Sequence, residues 1–79
     1  MEEEILDRML NVLNIHGLNY ANVKSLENNT VLKEDLIFDS LDIAEYLMGI
    51  EDEFNIGDID SNIVFITIND IKKYIEEKI

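Results

Sequence analysis

The chain has no cysteine, no proline and no tryptophan, a single histidine and three glycines in 79 residues. Without cysteine there is no disulfide framework, no zinc site of the thiolate kind and no thiol nucleophile of the polypeptide's own, so any thiol chemistry must be brought in. His16 has no second histidine or cysteine near it in the sequence. Its place in the last turn of an expected helix, just before Gly17, suits capping or a surface role better than metal binding or catalysis. Long apolar runs are missing too: the longest, Ile63 to Ile68, is far too short to span a bilayer. The opening Met1-Glu2-Glu3-Glu4 is the reverse of the basic start that a secretory signal needs, so a cytoplasmic protein without membrane insertion is expected. The tripeptide Asn28-Asn29-Thr30 matches a glycosylation acceptor, which a chain with no secretion signal would not present to that machinery.

Positive charge is scarce. Six Lys and Arg stand against eighteen Asp and Glu, a net charge of −12 that repels nucleic-acid phosphates and anionic lipids alike. The expected partners therefore carry basic patches. So acidic a chain raises the alternative of disorder, but 47% hydrophobic residues is too many for a chain that cannot collapse. The length fits one domain over residues 1–79, near the lower limit for a core without metal or disulfide.

Over residues 3–16, Ile5, Leu6, Met9, Leu10 and Leu13 recur at spacings of three and four, which predicts a helix with one apolar side ended by Gly17. From Leu18 to Asp39 periodicity fades and turn formers recur, predicting a long loop pinned by Leu26, Val31, Leu32 and Leu36; a loop that long tends to be functional. A second helix is predicted over 40–55, with Ile43, Leu47, Ile50 and Phe54 in one stripe. Asp39 is its N-cap and Asp42 stands at N3, the pattern of a capping box. The run Ile63-Val64-Phe65-Ile66-Thr67-Ile68 has the propensity of a strand, but a single strand would have no partner. A short helical turn near 60–65 is expected instead, then a last helix capped by Thr67 with Asp70 at N3 and with Ile68, Ile71, Tyr74 and Ile75 facing inward. The expected fold class is all-α: a small antiparallel four-helix bundle, three helices longer and one short, with a long first loop.

The stretch Asp35-Leu36-Ile37-Phe38-Asp39-Ser40-Leu41-Asp42, followed by Glu51-Asp52-Glu53-Phe54 and by Thr67-Ile68-Asn69-Asp70 with Tyr74-Ile75, resembles the acyl carrier protein family. The resemblance runs over nearly the whole chain. It implies that Ser40 is the covalent attachment site of a 4′-phosphopantetheine arm taken from coenzyme A. A separate phosphopantetheinyl transferase (holo-acyl-carrier-protein synthase) would load it, and the chain itself would have no catalytic residue and no metal site. A serine at N1 suits this role physically, because the free N–H groups and the positive end of the helix dipole favour a phosphodiester there. The resemblance further implies a monomer that offers Leu41 and Met48 as apolar contacts, rimmed by Asp39, Asp42, Glu45, Glu51 and Asp52, to acyl-processing enzymes with basic patches. Tyr46, Leu47, Ile50 and Phe54 are the candidates for lining an acyl cavity. Two departures stand out. The family usually has glycine at the position of Ile37, so a conformation easy for glycine must be one that isoleucine tolerates. Tyr46 replaces a residue usually aliphatic, and its phenol would shorten or polarise the cavity.

Between Lys33 and Lys72 there is no basic residue and there are eleven acids. Such a face either gives solubility or steers basic partners toward Ser40. Asp58-Ile59-Asp60-Ser61-Asn62 matches the first half of a calcium-binding loop, which then fails at Ile63, where glycine is needed, and at Asn69, where a closing glutamate is needed. The readings left open are a carrier of fatty-acid or polyketide-type acyl groups, a carrier of an amino acid such as D-alanine, and an unmodified acidic interaction module with weak divalent-cation binding.

Overall fold

The computed structural model describes residues 2–15, 26–60 and 62–79. His16, Gly17, the first part of the loop up to Ser25, and Ser61 lie outside the described residues.

Three helices, α1 (Glu2–Ile15), α2 (Ser40–Phe54) and α3 (Ile68–Lys78), make the fold all-α, with no strand among the described residues. Each turns a stripe inward at helical spacing. Ile5, Met9, Val12 and Leu13 of α1, Tyr46, Ile50 and Phe54 of α2, and Ile68, Ile71 and Ile75 of α3 form one core. Each such aliphatic side chain contributes roughly 1.5–3 kcal/mol when fully buried. The inward face of α2 is turned from the expected stripe: Tyr46 is fully buried, while Ile43 and Leu47 are half-buried at the core's edge.

Both capping boxes form. The Asp42 N–H donates to Asp39 Oδ1 (2.9 Å) and the Asp39 N–H to Asp42 Oδ2 (3.1 Å). At α3 the Asp70 N–H donates to Thr67 Oγ1 (3.3 Å), while the Thr67 and Ile66 N–H groups donate to Asp70 Oδ2 (3.0 and 2.9 Å). These donors, Thr67's first, hold the Asp70 carboxyl below its usual value. The far end of α2 is held by Arg8: its guanidinium donates to the Glu53 carboxylate (2.9 Å) and carbonyl (2.8 Å) and lies 4.3 Å from the centre of the Phe54 ring.

The described part of the first loop is held by its own burial and hydrogen bonds. Leu26, Leu32, Leu36 and Phe38 are buried. The Val31 N–H donates to Asp35 Oδ2 (2.8 Å), and Val31's carbonyl accepts from Asp35 and Leu36. The loop is also joined to the approach to α3: the Leu32 N–H donates to the Ile66 carbonyl (3.0 Å), and the Ile68 and Asn69 N–H groups donate to the Thr30 and Asn28 carbonyls (2.9 Å each). Lys72, almost wholly buried, donates from Nζ to Asn28 Oδ1 (2.9 Å).

This junction corrects the expectation for residues 60–65. In place of a fourth, short helix, the described residues show a single turn, with Ile63 N–H donating to the Asp60 carbonyl (3.1 Å), and then extended chain. Exposure alternates along it, with Val64 at 78%, Phe65 at 8% and Ile66 at 60%. The β-branched run keeps its extended preference, and its end finds a backbone partner in the first loop, at the Leu32 N–H and in a bridge between Val31 and Thr67.

Candidate functional site

Ser40 is the first residue of α2, and its side chain is exposed. The capping box fixes it there. The first helical bond runs from Ile43 N–H to the Asp39 carbonyl (3.0 Å), so the N–H groups ahead of it, Asp42's held by the Asp39 carboxylate, lie at the serine's end of the helix.

The residues before Ser40 are tightly set. Leu36 and Phe38 are buried at 3% each, and the Phe38 N–H donates to the Leu32 carbonyl (3.0 Å). Between them Ile37 adopts φ +56°, in the left-handed region. The backbone here takes the conformation that glycine adopts freely, and a β-branched residue holds it.

Below Ser40 the segment from Ile59 to Phe65 leaves two adjoining grooves against α2. One, of about 320 Å³, is lined by Ser40, Ile43, Leu47, Met48, Ile59 and Ile63 among others. The second, of about 200 Å³, shares Ser40, Ile43, Leu47 and Ile63 and adds Lys33, Val64 and Phe65. Together they make an apolar trough that starts at the serine.

Of the residues expected to line an acyl cavity, Leu47 lies on this trough. Tyr46, Ile50 and Phe54 are in the core and line neither groove. The Tyr46 hydroxyl donates to the Met9 carbonyl (2.9 Å), and its ring meets Phe38 edge-on at 5.7 Å. Burial pushes this phenol's pKa upward. Of the residues expected to meet partners, Leu41 and Met48 are 66% and 62% exposed. Asp39, Glu45 and Asp52 are also exposed, and Asp42 is half-buried. Glu51 is half-buried, lines the larger groove and accepts the Ile59 N–H (2.5 Å), which fastens the groove's outer wall to α2.

Lys33, Ile59 and Ile63 on the trough are not recognisable from the sequence. They reach it through the return of the 55–66 segment and the fold of the first loop, which no local pattern encodes. Ile43, in the apolar stripe expected for the second helix, borders the trough as well as the core. Among the described residues no group of three or more histidines and carboxylates is placed to hold a metal ion, and no helix is long and apolar enough to cross a membrane.

The described structure is thus an acidic, helical protein that displays one serine at a helix start, above an apolar trough. The chain is 40% identical to an acyl carrier protein from Buchnera aphidicola subsp. Baizongia pistaciae (strain Bp), over 66% of this chain and 73% of that one. It belongs to the acyl carrier protein family. No family model and no solved structure matches it.

Proposed function

We propose that this protein carries acyl intermediates as thioesters on a 4′-phosphopantetheine arm attached to Ser40, and presents them to enzymes of fatty acid or related polyketide-type biosynthesis. The observation that carries the reading is the Ser40 corner: an exposed hydroxyl at the first position of a doubly capped helix, opening onto an apolar trough.

The residues present fit the arm. The positive end of α2's dipole suits the phosphodiester. Lys33 lines the same groove as Ser40 and offers a cation. The arm supplies the thiol that the chain lacks. Ile43, Leu47 and Ile63 are the residues to shelter an acyl chain, excluding water from its thioester. Loading requires a phosphopantetheinyl transferase, which supplies coenzyme A and Mg²⁺ and activates the Ser40 hydroxyl. Exposed Leu41 and Met48 beside Asp39, Glu45 and Asp52 form the surface that this and later basic enzymes approach. With a net charge of −12 opposing self-association, the protein acts as a cytoplasmic monomer.

Incubation with coenzyme A, Mg²⁺ and a broad-specificity transferase should add the mass of one arm to the wild type and none to Ser40→Ala. An unmodified wild type, or a modified Ser40→Ala, refutes the assignment.

A further inference from the structure

Ile37 combines two features that each cost stability. Its φ of +56° crowds Cβ against the backbone, a strain that a β-branched residue seldom bears. Its side chain is 73% exposed, so burial does not offset that strain. The conformation is imposed from both sides. Leu36 and Phe38 are buried, and their N–H groups donate to the Val31 and Leu32 carbonyls (3.3 and 3.0 Å), so the residue between them must make the turn. Asn55 also has positive φ, at 52°, but asparagine tolerates that region and there ends α2. A strained residue held in place by its surroundings marks function where no packing role accounts for it.

Ile37 precedes Ser40 by three residues, which holds the two Cα atoms within about 10 Å. An enzyme that reaches the Ser40 hydroxyl therefore works within that distance of the exposed Ile37. Leu41 and Met48 add exposed apolar side chains on α2, and Asp39, Glu45 and Asp52 add exposed negative charge on the same segment. A second copy of this chain would bring a further −12 to the same place, and an anionic lipid surface the same sign. The complementary partner is a protein with an apolar pocket and a basic rim.

We propose that Ile37 is a specificity-determining docking residue for the enzyme that loads Ser40, inserting an apolar side chain into a basic-rimmed pocket beside that enzyme's active site. The inference rests on Ser40 being the attachment site. The side chain adds binding energy at the encounter and takes no part in the chemistry, so its loss acts on KM and not on kcat.

The test measures transfer kinetics from coenzyme A by a phosphopantetheinyl transferase, with thermal unfolding of each variant alongside. Ile37→Gly and Ile37→Asn relieve the strain and remove the apolar contact, so both should raise Tm while raising KM about five- to tenfold at unchanged kcat. Ile37→Leu keeps an apolar side chain and should hold KM near the wild-type value. Gain of stability with loss of recognition is a pairing that a structural role does not produce. Equal KM across all four proteins, a fall in kcat alone, a lower Tm for Ile37→Gly, or a loss in Ile37→Leu as large as in Ile37→Gly overturns the inference. A wild type that accepts no arm overturns the carrier reading and this inference with it, whereas a loaded wild type with any of those patterns overturns this inference alone.

Discussion

Tyr46 puts a hydroxyl into the middle of an apolar core, fully buried, and the molecule answers with the Met9 carbonyl at 2.9 Å. Left without that acceptor the group would cost roughly 1–3 kcal/mol. The bond therefore ties the centre of α2 to the backbone of α1, while Phe38, packed edge-on against the ring, ties the first loop to both. Tyr46→Phe keeps the ring and its packing and removes only the hydroxyl. We expect it to lower stability by about 1 kcal/mol, read as a lower urea midpoint at an unchanged slope. A midpoint equal to the wild type's would mean that water satisfies both groups as well in the unfolded chain, and that the bond adds only geometry.

At the scale of elements, α2 has three sides with different uses. Tyr46, Ile50 and Phe54 face the core, Ile43 and Leu47 border the trough, and Leu41, Glu45, Met48 and Asp52 face solvent. Glu51, grouped by sequence with the outward acids, is instead held by the Ile59 N–H and belongs to the wall of the groove. Within α2 the acids left for partners on the exposed side are Glu45 and Asp52, with Asp39 exposed at its N-cap. Reversing both to lysine should slow arm transfer mainly through association, and the deficit should shrink as salt rises. The same reversal at Glu4 and Asp7, exposed on α1, should change transfer little. Equal loss in the two double variants would show that partners read net charge and not a place on α2.

Over the whole molecule a charge of −12 is confined within 28 × 27 × 22 Å. The screening length is about 30 Å at 0.01 M salt, so there every acid feels most of the others, and about 3 Å at 1 M, where few do. Repulsion in the folded state exceeds that in the expanded chain. Raising NaCl across this range should therefore raise Tm by several degrees, since about 1 kcal/mol corresponds to roughly 4–8 °C for a domain of this size. A Tm indifferent to NaCl would mean that local bonds, such as those of Asp35, Asp39 and Asp70 to backbone N–H groups, already outweigh the long-range field.

The sequence by itself determined three helices, both capping boxes and the placement of Ser40 at a helix start, because these depend on spacings of three and four residues along a single segment. It also carried the family resemblance, held in contiguous motifs around that serine. The tertiary structure decided what depends on two segments meeting. The end of the 63–66 run pairs with the first loop, through the Leu32 N–H to the Ile66 carbonyl and the bridge at Thr67, a pairing invisible when the run is read alone. Tyr46 turns inward because α1 offers it a carbonyl, which shifts the buried face of α2 and leaves Ile43 and Leu47 to the trough. Ile37 is left-handed because the residues on either side are fixed by burial and by bonds to Val31 and Leu32, and no propensity of isoleucine would foretell it. Local patterns register the energy of one segment against water; the return of distant backbone sets which of its near-equal conformations is lowest.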